Sequence, residues 1–250
     1  MINIRSKSEI EMMKIAGQIT GEALKRIEEA VKPGVTTAEL DRIADKYIRS
    51  QGCKPSFKNY GGFPGSVCAS VNDVIIHGFP NHKPLKEGDI VSIDVGACYK
   101  GYHGDAARTF AVGKIAPETQ RLLDVTKASF FEGIKFAKEG FRISDISGSV
   151  QKYVEENGFS VLRDYCGHGV GAQLHEEPDV PNYVIKGERG PRLRAGMVIA
   201  IEPMVNMGKK EYYIADNDWE VMTADGKPAA HYENTVLITN GEPVLLTLVD

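Results

Sequence analysis

Apolar side chains recur at helical spacing near the start of the chain. Between residues 8 and 31 they return every three or four positions, and Lys-Pro-Gly at 32–34 ends the pattern. This spacing predicts an amphipathic helix. Thr36, followed three residues later by Glu39, forms a capping-box pattern that opens a second helix, which we expect to end near Gly52. Each helix would have one apolar face, and a sheet is the natural partner for both.

A strand-and-turn pattern occupies residues 92–109, with one aspartate at the end of an apolar run and a second beyond a glycine-rich bend. The run before Asp94 predicts a buried strand, and residues 106–112 predict the strand that returns. If the two residues before Gly101 form the loop, Asp94 lies directly opposite Asp105, with Cβ atoms about 5 Å apart. A bulge at Gly101 would instead make the acids diagonal neighbours. Ionised carboxylates this close repel each other unless a proton or a cation lies between them.

The chain also resembles itself at a nearly constant offset, which predicts duplicated structural units. The aligned stretches are 31–52 with 137–158, 77–80 with 175–178, and 87–94 with 195–202. In the last pair Asp94 aligns with Glu202. We therefore expect one domain over residues 1–250, made of two pseudo-symmetric halves at about 1–112 and 113–250. Each half would be a helix pair followed by strands.

A fourth acid lies in the last predicted strand, residues 231–238. Period-two alternation places Glu233 on one face with His231 and Thr235, and we expect this face to be buried. The duplicated halves then bring four acids to one region: Asp94, Asp105, Glu202 and Glu233. Carboxylates buried together need compensating charge, and two divalent cations would provide it.

Histidines supply candidate nitrogen ligands for such cations. His168 lies between two glycines, and His175 follows a bend farther along the chain. A set of carboxylates with one imidazole suits Mn, Fe, Co or Zn better than Ca or Mg. The sequence therefore predicts a dinuclear metal centre. We assign no metal-binding role to His82 or His231. We expect each of them either at the surface or in contact with the metal ligands.

Composition limits the setting and the partners. The net charge is −4 and the isoelectric point is near 5.9, so no basic field suggests nucleic acid as a partner. The four cysteines, at 53, 68, 98 and 166, form no Cys-x-x-Cys pair and are expected to be reduced thiols. The N-terminus lacks a signal-peptide pattern, and no apolar stretch reaches membrane-spanning length. These features predict a cytoplasmic protein that does not associate with membranes.

Several segments together resemble the signatures of one enzyme family. In chain order they are VIIHG, VSIDVG, GDAARTF, GHGVG, LHEEP, IAIEPM and HYENT, which span almost the whole sequence. They are similar to the signature segments of type I methionine aminopeptidases. The resemblance implies the pita-bread fold, an α+β architecture with a curved antiparallel sheet, covering helices and pseudo-two-fold symmetry. It also implies removal of the initiator methionine from nascent proteins when the second residue is small.

The family motifs assign roles to the acids and histidines. The resemblance implies two divalent ions, of Co, Mn, Fe or Zn, held by Asp94, Asp105, His168, Glu202 and Glu233. Asp105 and Glu233 would bridge the ions, and Glu202 would also accept a proton from the attacking water. His77 and His175 would contact the substrate around the scissile bond.

The same resemblance points to a methionine pocket and to a partner. The pocket would be lined by Tyr60, Phe63, Cys68 and Trp219. Leu174 departs from the aromatic residue that some relatives have there. The partner would be nascent polypeptide N-termini, encountered at the ribosome, and we expect a monomer.

Four other protein classes share some of these features. A mononuclear iron oxygenase could use His103, Asp105 and His168, but it would leave three acids without a role and would require an almost all-strand fold. Xaa-Pro aminopeptidases share the ligands but usually have a large additional N-terminal domain. Type II methionine aminopeptidases have an insertion, for which residues 169–201 leave little room. A non-catalytic protein of this fold would be expected to have lost ligands.

Overall fold

The computed structural model describes residues 1–249. Its helices are α1 (Lys7–Ala30), α2 (Thr37–Ser50), α3 (Pro117–Ile134) and α4 (Ile143–Glu156), with a short 3-10 helix at Tyr60–Gly62. The strands are β1 (Lys54–Pro55), β2 (Val67–Val71), β3 (Val74–Ile76), β4 (Ile90–Tyr99), β5 (Tyr102–Ala111), β6 (Ser160–Val161), β7 (Cys166–Gly169), β8 (Glu176–Pro181), β9 (Val198–Ile201), β10 (Met204–Asn206), β11 (Tyr212–Ile214), β12 (Val221–Thr223), β13 (Ala229–His231), β14 (Asn234–Leu237) and β15 (Val244–Leu245).

The strands form antiparallel sheets that the helices cover. One sheet has the order β1-β4-β2 with β5 on β4, and another has the order β15-β14-β9-β7-β8. Two smaller sheets are β13-β10-β6 and β11-β12-β3. Leu40 of α2 packs in one core with Ile93 of β4, and Phe130 of α3 packs in another with Ile199 of β9. The predicted α+β class with antiparallel sheets is confirmed. Among the helices of residues 1–249, none combines the length and the apolar character that a membrane span requires.

Local capping explains where the first two helices begin. The predicted capping box of α2 is present, because Thr36 and Glu39 exchange side-chain and backbone hydrogen bonds. A second capping box, between Ser6 and Glu9, starts α1 and was not predicted. Both helices otherwise match their expected extents to within about two residues.

The internal repeat corresponds to repeated structure. α4 has the bounds of α2 shifted by the offset seen in the sequence, since Thr37 aligns with Ile143. The turn before each helix is also built twice. Gly34 donates its N–H to Leu85 O at 2.8 Å, and Gly140 donates to Leu193 O at 3.0 Å. The two glycines have φ of 94° and 92°, a region that favours glycine. The division of the domain near residue 112 stays a prediction.

The register of the β4–β5 hairpin differs from the expected one. Lys100 and Gly101 form its two-residue loop, both with positive φ, as a type I′ turn requires. Asp94 therefore faces Ala107, and Asp105 faces Gly96. The direct pairing of the two acids was wrong. They are diagonal neighbours on one face, as the bulge alternative required, but the turn and not a bulge sets this register.

The last predicted strand is interrupted at Glu233. Residues at and beside this break form hydrogen bonds to the first half of the chain. β13 and β14 belong to different sheets, with Glu233 between them. Glu233 donates its N–H to Ala107 O at 2.9 Å, and Ala107 donates to Glu233 O at 3.4 Å. Thr235 Oγ1 accepts from Asp105 N at 2.9 Å and donates to Asp105 O at 2.8 Å. These bonds fix Glu233 and Asp105 against each other.

Glycine in the middle of α1 allows close packing, which gives a stability prediction. A Cβ at Gly17 would lie 2.3 Å from Leu246 O, whereas a Cβ at Gly148 of α4 would meet only a Val184 methyl at 3.3 Å. We expect Gly17→Ala to lower the free energy of unfolding by about 2 kcal/mol, because overpacking outweighs the helix propensity of alanine. Gly148→Ala is the matched control and should be neutral or stabilising. Denaturant titration of both variants measures this, and equal effects would contradict the packing argument.

Candidate metal centre

The predicted ligands converge on one cavity of about 640 Å³ from five parts of the fold. They are Asp94 in β4, Asp105 in β5, His168 in β7, Glu202 directly after β9, and Glu233 between β13 and β14. The two halves of the chain therefore contribute to a single site. The proposed substrate residues line the same cavity: His77, His175, Tyr60, Phe63, Cys68 and Trp219.

Donor atoms form two overlapping groups that could each hold a metal ion. In one group, atoms of Asp105, His168 and Glu233 lie within 4.8 Å of one another. In the other, Glu233 is joined by Glu202 and His231 within the same limit. His168 Nε2 lies 3.8 Å from Asp105 Oδ2 and 3.6 Å from Glu202 Oε1, so the groups adjoin. Asp94 is in neither group, but it lines the same cavity, and the carboxyls of Glu202, Glu233 and Asp105 all influence its pKa.

The four acids repel one another in a buried setting. Burial is the main cause that raises the pKa of each carboxyl well above its usual range. Negative charge on a neighbouring carboxylate is the second cause. Glu202 raises the pKa of Asp94, and Asp94 raises that of Asp105. Asp105 in turn raises the pKa of both Glu202 and Glu233. Buried oxygens of Asp94, Asp105 and Glu233 have no hydrogen-bond partner within residues 1–249. Oxygens that are buried, crowded and unpartnered fit divalent cations.

His168 is held in the form that binds a metal. Its Nδ1 donates to Gly169 O at 2.9 Å, since a carbonyl can only accept, and this leaves Nε2 free toward the acids. Burial lowers the pKa of His168 to about 3, so the ring is neutral near pH 7. The flanking glycines are required by space. A Cβ at Gly167 would lie 2.3 Å from Ala200 O, and one at Gly169 would lie 2.2 Å from Glu177 O.

His231 belongs to the candidate metal centre, although we expected no metal-binding role for it from the sequence. The side chain is 2% exposed, and its Nε2 lies 3.4 Å from Glu202 Oε2. Burial lowers its pKa to about 3. The signal was present in the sequence, because period-two alternation put His231 on the same face as Glu233. His82, in contrast, is exposed, as expected.

His77 and His175 are held differently. His175 is at the exposed mouth of the cavity, its Nδ1 lies 2.7 Å from Tyr60 Oη, and its ring centroid is 4.2 Å from that of His168. His77 has a φ of 61°, an unusual conformation for a residue with a side chain. Its ring lies 5.8 Å from that of Tyr165 and 6.2 Å from that of Trp219. Burial lowers the pKa of His77 to about 4 and also lowers that of His175.

An apolar cluster borders the acids. Phe57, Phe63, Cys68 and Leu174 are buried together, with Phe79 and Trp219 packed against them. The Phe63 and Trp219 rings lie edge to face at 5.3 Å between centroids. Cys68 pairs with Asp94 in the β2–β4 register, so the cluster begins beside the acid centre. Tyr60 is 43% exposed and forms part of the rim.

His103 does not join the donor atoms. Its Nδ1 lies 2.9 Å from Ser56 Oγ, and it belongs to neither ligand group within residues 1–249. The single-iron oxygenase arrangement of His103, Asp105 and His168 is therefore disfavoured. The mixed helix and strand content disfavours it as well.

A pseudo-symmetric α+β fold with buried carboxylates and imidazoles beside a substrate-sized cavity defines a metallohydrolase of the pita-bread class. The sequence profile described as metallopeptidase family M24 matches residues 11–240. The chain is 55% identical over 249 residues to the methionine aminopeptidase of Clostridium perfringens and 47% identical over 249 residues to methionine aminopeptidase 1 of Bacillus subtilis, with 100% of each chain covered in both comparisons.

Solved structures agree with these relatives. The methionine aminopeptidase of Thermotoga maritima matches with a TM-score of 0.97 and 43% identity, over 100% of both chains. The prolidase of Pyrococcus furiosus matches with a TM-score of 0.81 and 25% identity, over 99% of this chain and 66% of its own. The chain belongs to metallopeptidase family M24, among the methionine aminopeptidases, and the predicted family and fold are confirmed. Members of this family depend on divalent metal ions.

Mutual repulsion among the acids predicts how the metal-free protein responds to pH. Raised carboxyl pKa values mean that the folded chain retains protons at pH values where the unfolded chain, with carboxyl pKa values near 4, has released them. Stability should therefore rise as the pH falls, and the interval from 8.5 to 7 avoids protonation of the histidines. Below about pH 6.5 the buried histidines act in the opposite direction, because only the unfolded chain protonates them.

The thermal midpoint of chelator-treated protein across pH 8.5 to 7 measures this effect. The double variant Asp94→Asn, Glu233→Gln removes two of the charges and should flatten the slope. An identical slope in both proteins would show that the acids are not the cause.

Proposed function

We propose that the chain removes the N-terminal methionine from new proteins whose second residue is small, by hydrolysis of the first peptide bond. One observation supports this most strongly. A single cavity joins a buried acid centre suited to cations with a buried cluster of aromatic rings suited to a thioether. The first can activate water, and the second can select a methionine side chain.

In this proposal Asp94, Asp105, His168, Glu202 and Glu233 would hold two divalent ions, of Co, Mn, Fe or Zn. Two adjoining donor groups that share Glu233 support a pair of ions, with His231 of the second group outside the proposed ligands. When bound, the ions acidify water and polarise the scissile carbonyl. His231 Nε2 lies 3.4 Å from Glu202 Oε2, beside that carboxylate.

Protein side chains handle the protons and the developing charge. Glu202 accepts a proton from the attacking water and passes it toward the leaving nitrogen. Tyr60 donates its hydroxyl proton to Nδ1 of His175, which leaves a proton on Nε2 for the oxyanion of the tetrahedral intermediate. His77 holds the nitrogen side of the scissile peptide.

Selection of methionine follows from the shape of the apolar cluster and from its aromatic rings. The unbranched thioether of methionine would enter the cavity beside the contacting Phe63 and Trp219 rings and gain sulfur to ring contacts. Cys68 forms a wall, and burial keeps its thiol protonated by raising its pKa. Tyr60 covers the entrance. A substrate with a bulky second residue would meet this rim.

The setting is also part of the proposal. The four cysteines are free thiols, which is typical of proteins in a reducing compartment. We therefore place the enzyme in the cytoplasm. The substrates are nascent polypeptide N-termini, which it meets at the ribosome as a monomer. It acts as one domain over residues 1–250, with halves at about 1–112 and 113–250.

Peptide cleavage tests the proposed specificity. Protein reconstituted with each of the four metals should release methionine from Met-Ala-Ser and little leucine from Leu-Ala-Ser, and free amino acid is the measurement. Equal release from both peptides would contradict methionine selection and leave a general aminopeptidase. No release under any metal would contradict the proposed activity.

His175 should matter for turnover and not for metal binding. We expect His175→Ala to lower kcat about a hundredfold or more, because an oxyanion donor is lost. Bound metal should stay unchanged, since His175 belongs to neither donor group. The exposed His82→Ala is the matched control and should retain wild-type kcat. Loss of metal from His175→Ala would contradict the assigned role.

A further inference from the structure

The segment that carries His175 is tied to the N-terminus of the chain by a buried ion pair. Arg5 Nη2 contacts Glu176 Oε2, and the two side chains are only 7% and 9% exposed. Glu176 directly follows His175 in sequence. The ion pair is thus adjacent to the substrate-contacting histidine, yet neither partner is among the residues assigned to the reaction.

Glu176 closes the loop that precedes it. Its Oε1 accepts the backbone N–H of Gln173 at 3.0 Å, and its Oε2 accepts from Asn3 Nδ2 at 2.7 Å. Gly171 begins this loop and has no room for a side chain, because a Cβ there would lie 1.7 Å from Arg5 Nη2. Arg5 therefore packs directly against the loop backbone and also neutralises the carboxylate that closes it.

Arg5 is itself fixed by other elements of the fold. Its backbone N–H donates to Gly196 O at 2.8 Å. Its Nη1 lies 3.7 Å from Glu9 Oε1, which accepts from the Tyr102 hydroxyl at 2.9 Å. Glu9 caps α1, and Tyr102 begins β5. The guanidinium thus joins the start of α1 and the β4–β5 hairpin to the loop.

We propose that Arg5, acting through Glu176, is a positioning residue for His175. This inference rests on the proposed role of His175 at the scissile bond. The 171–175 loop contains no helix or strand. Leu174 is anchored in the apolar cluster, whereas the exposed ring of His175 is positioned by Tyr60, by its edge-to-face contact with the His168 ring and by the backbone of this loop. A shift of about 1 Å in such a group is enough to cost up to about a hundredfold in rate.

The test compares kcat, KM and bound metal for Arg5→Met and Glu176→Gln with Met-Ala-Ser as substrate. Each variant should lower kcat about tenfold or more, with KM changed less than about threefold and metal content unchanged. The double variant should be no slower than the slower single variant, because both changes break one link. Arg5→Lys keeps the charge and should recover part of the lost kcat.

Lys138→Met is the matched control, since it removes another ion pair between distant parts of the chain, from Lys138 Nζ to Glu242 Oε1, and should retain wild-type kcat. Hydrogen exchange gives a readout that does not depend on activity. The Gln173 amide should exchange faster in Arg5→Met than in Lys138→Met.

Several results would overturn the inference. These are wild-type kcat in either single variant, multiplicative losses in the double variant, or unchanged exchange at Gln173. Should Arg5→Met fail to fold, the nearly isosteric Glu176→Gln and its exchange pattern decide the question. Failure of wild-type protein to cleave Met-Ala-Ser would instead remove the proposed function, and the exchange experiment would still report whether Arg5 restrains the loop.

Discussion

Repulsion among four buried carboxylates is the constraint on which this structure depends. Asp94, Asp105, Glu202 and Glu233 lie together with little exposure to water, and burial and mutual charge raise the pKa of each. The charge of Arg108 lowers the pKa of Glu233. One guanidinium cannot balance four carboxylates, so the centre is unfavourable without divalent ions. The rest of the fold must hold it in place.

Rigidity at the junction of the two halves meets that requirement. Glu233 and Ala107 exchange backbone hydrogen bonds, and Thr235 bonds both backbone groups of Asp105. Arg108 adds a clamp, donating to Glu233 O and to Asn234 Oδ1 while its guanidinium stacks 4.1 Å from the Tyr232 ring centroid. Two acids from different halves are thereby fixed by backbone geometry and not by side-chain packing alone.

Local sequence signals made the helices predictable. The strand register and the strand break that the sequence did not predict depend on hydrogen bonds between residues far apart in the chain. The capping residues Thr36 and Glu39 act within one turn, so the start of α2 could be inferred directly. The hairpin register depended on which two residues form its loop, and a shift of one residue in the loop changes every facing pair. The break at Glu233 could not be inferred from alternation, because it arises from hydrogen bonds to Ala107 in the other half.

The duplicated halves contribute equivalent acids, but their histidines are supported in different ways. His77 is half-buried, contacts the Tyr165 and Trp219 rings edge to face, and has a left-handed backbone conformation. His175 is exposed at the end of a loop and is held by polar contacts, from Tyr60 and through the backbone next to Glu176. The acids of both halves therefore line one cavity, whereas the two histidines at that cavity are held by unlike surroundings.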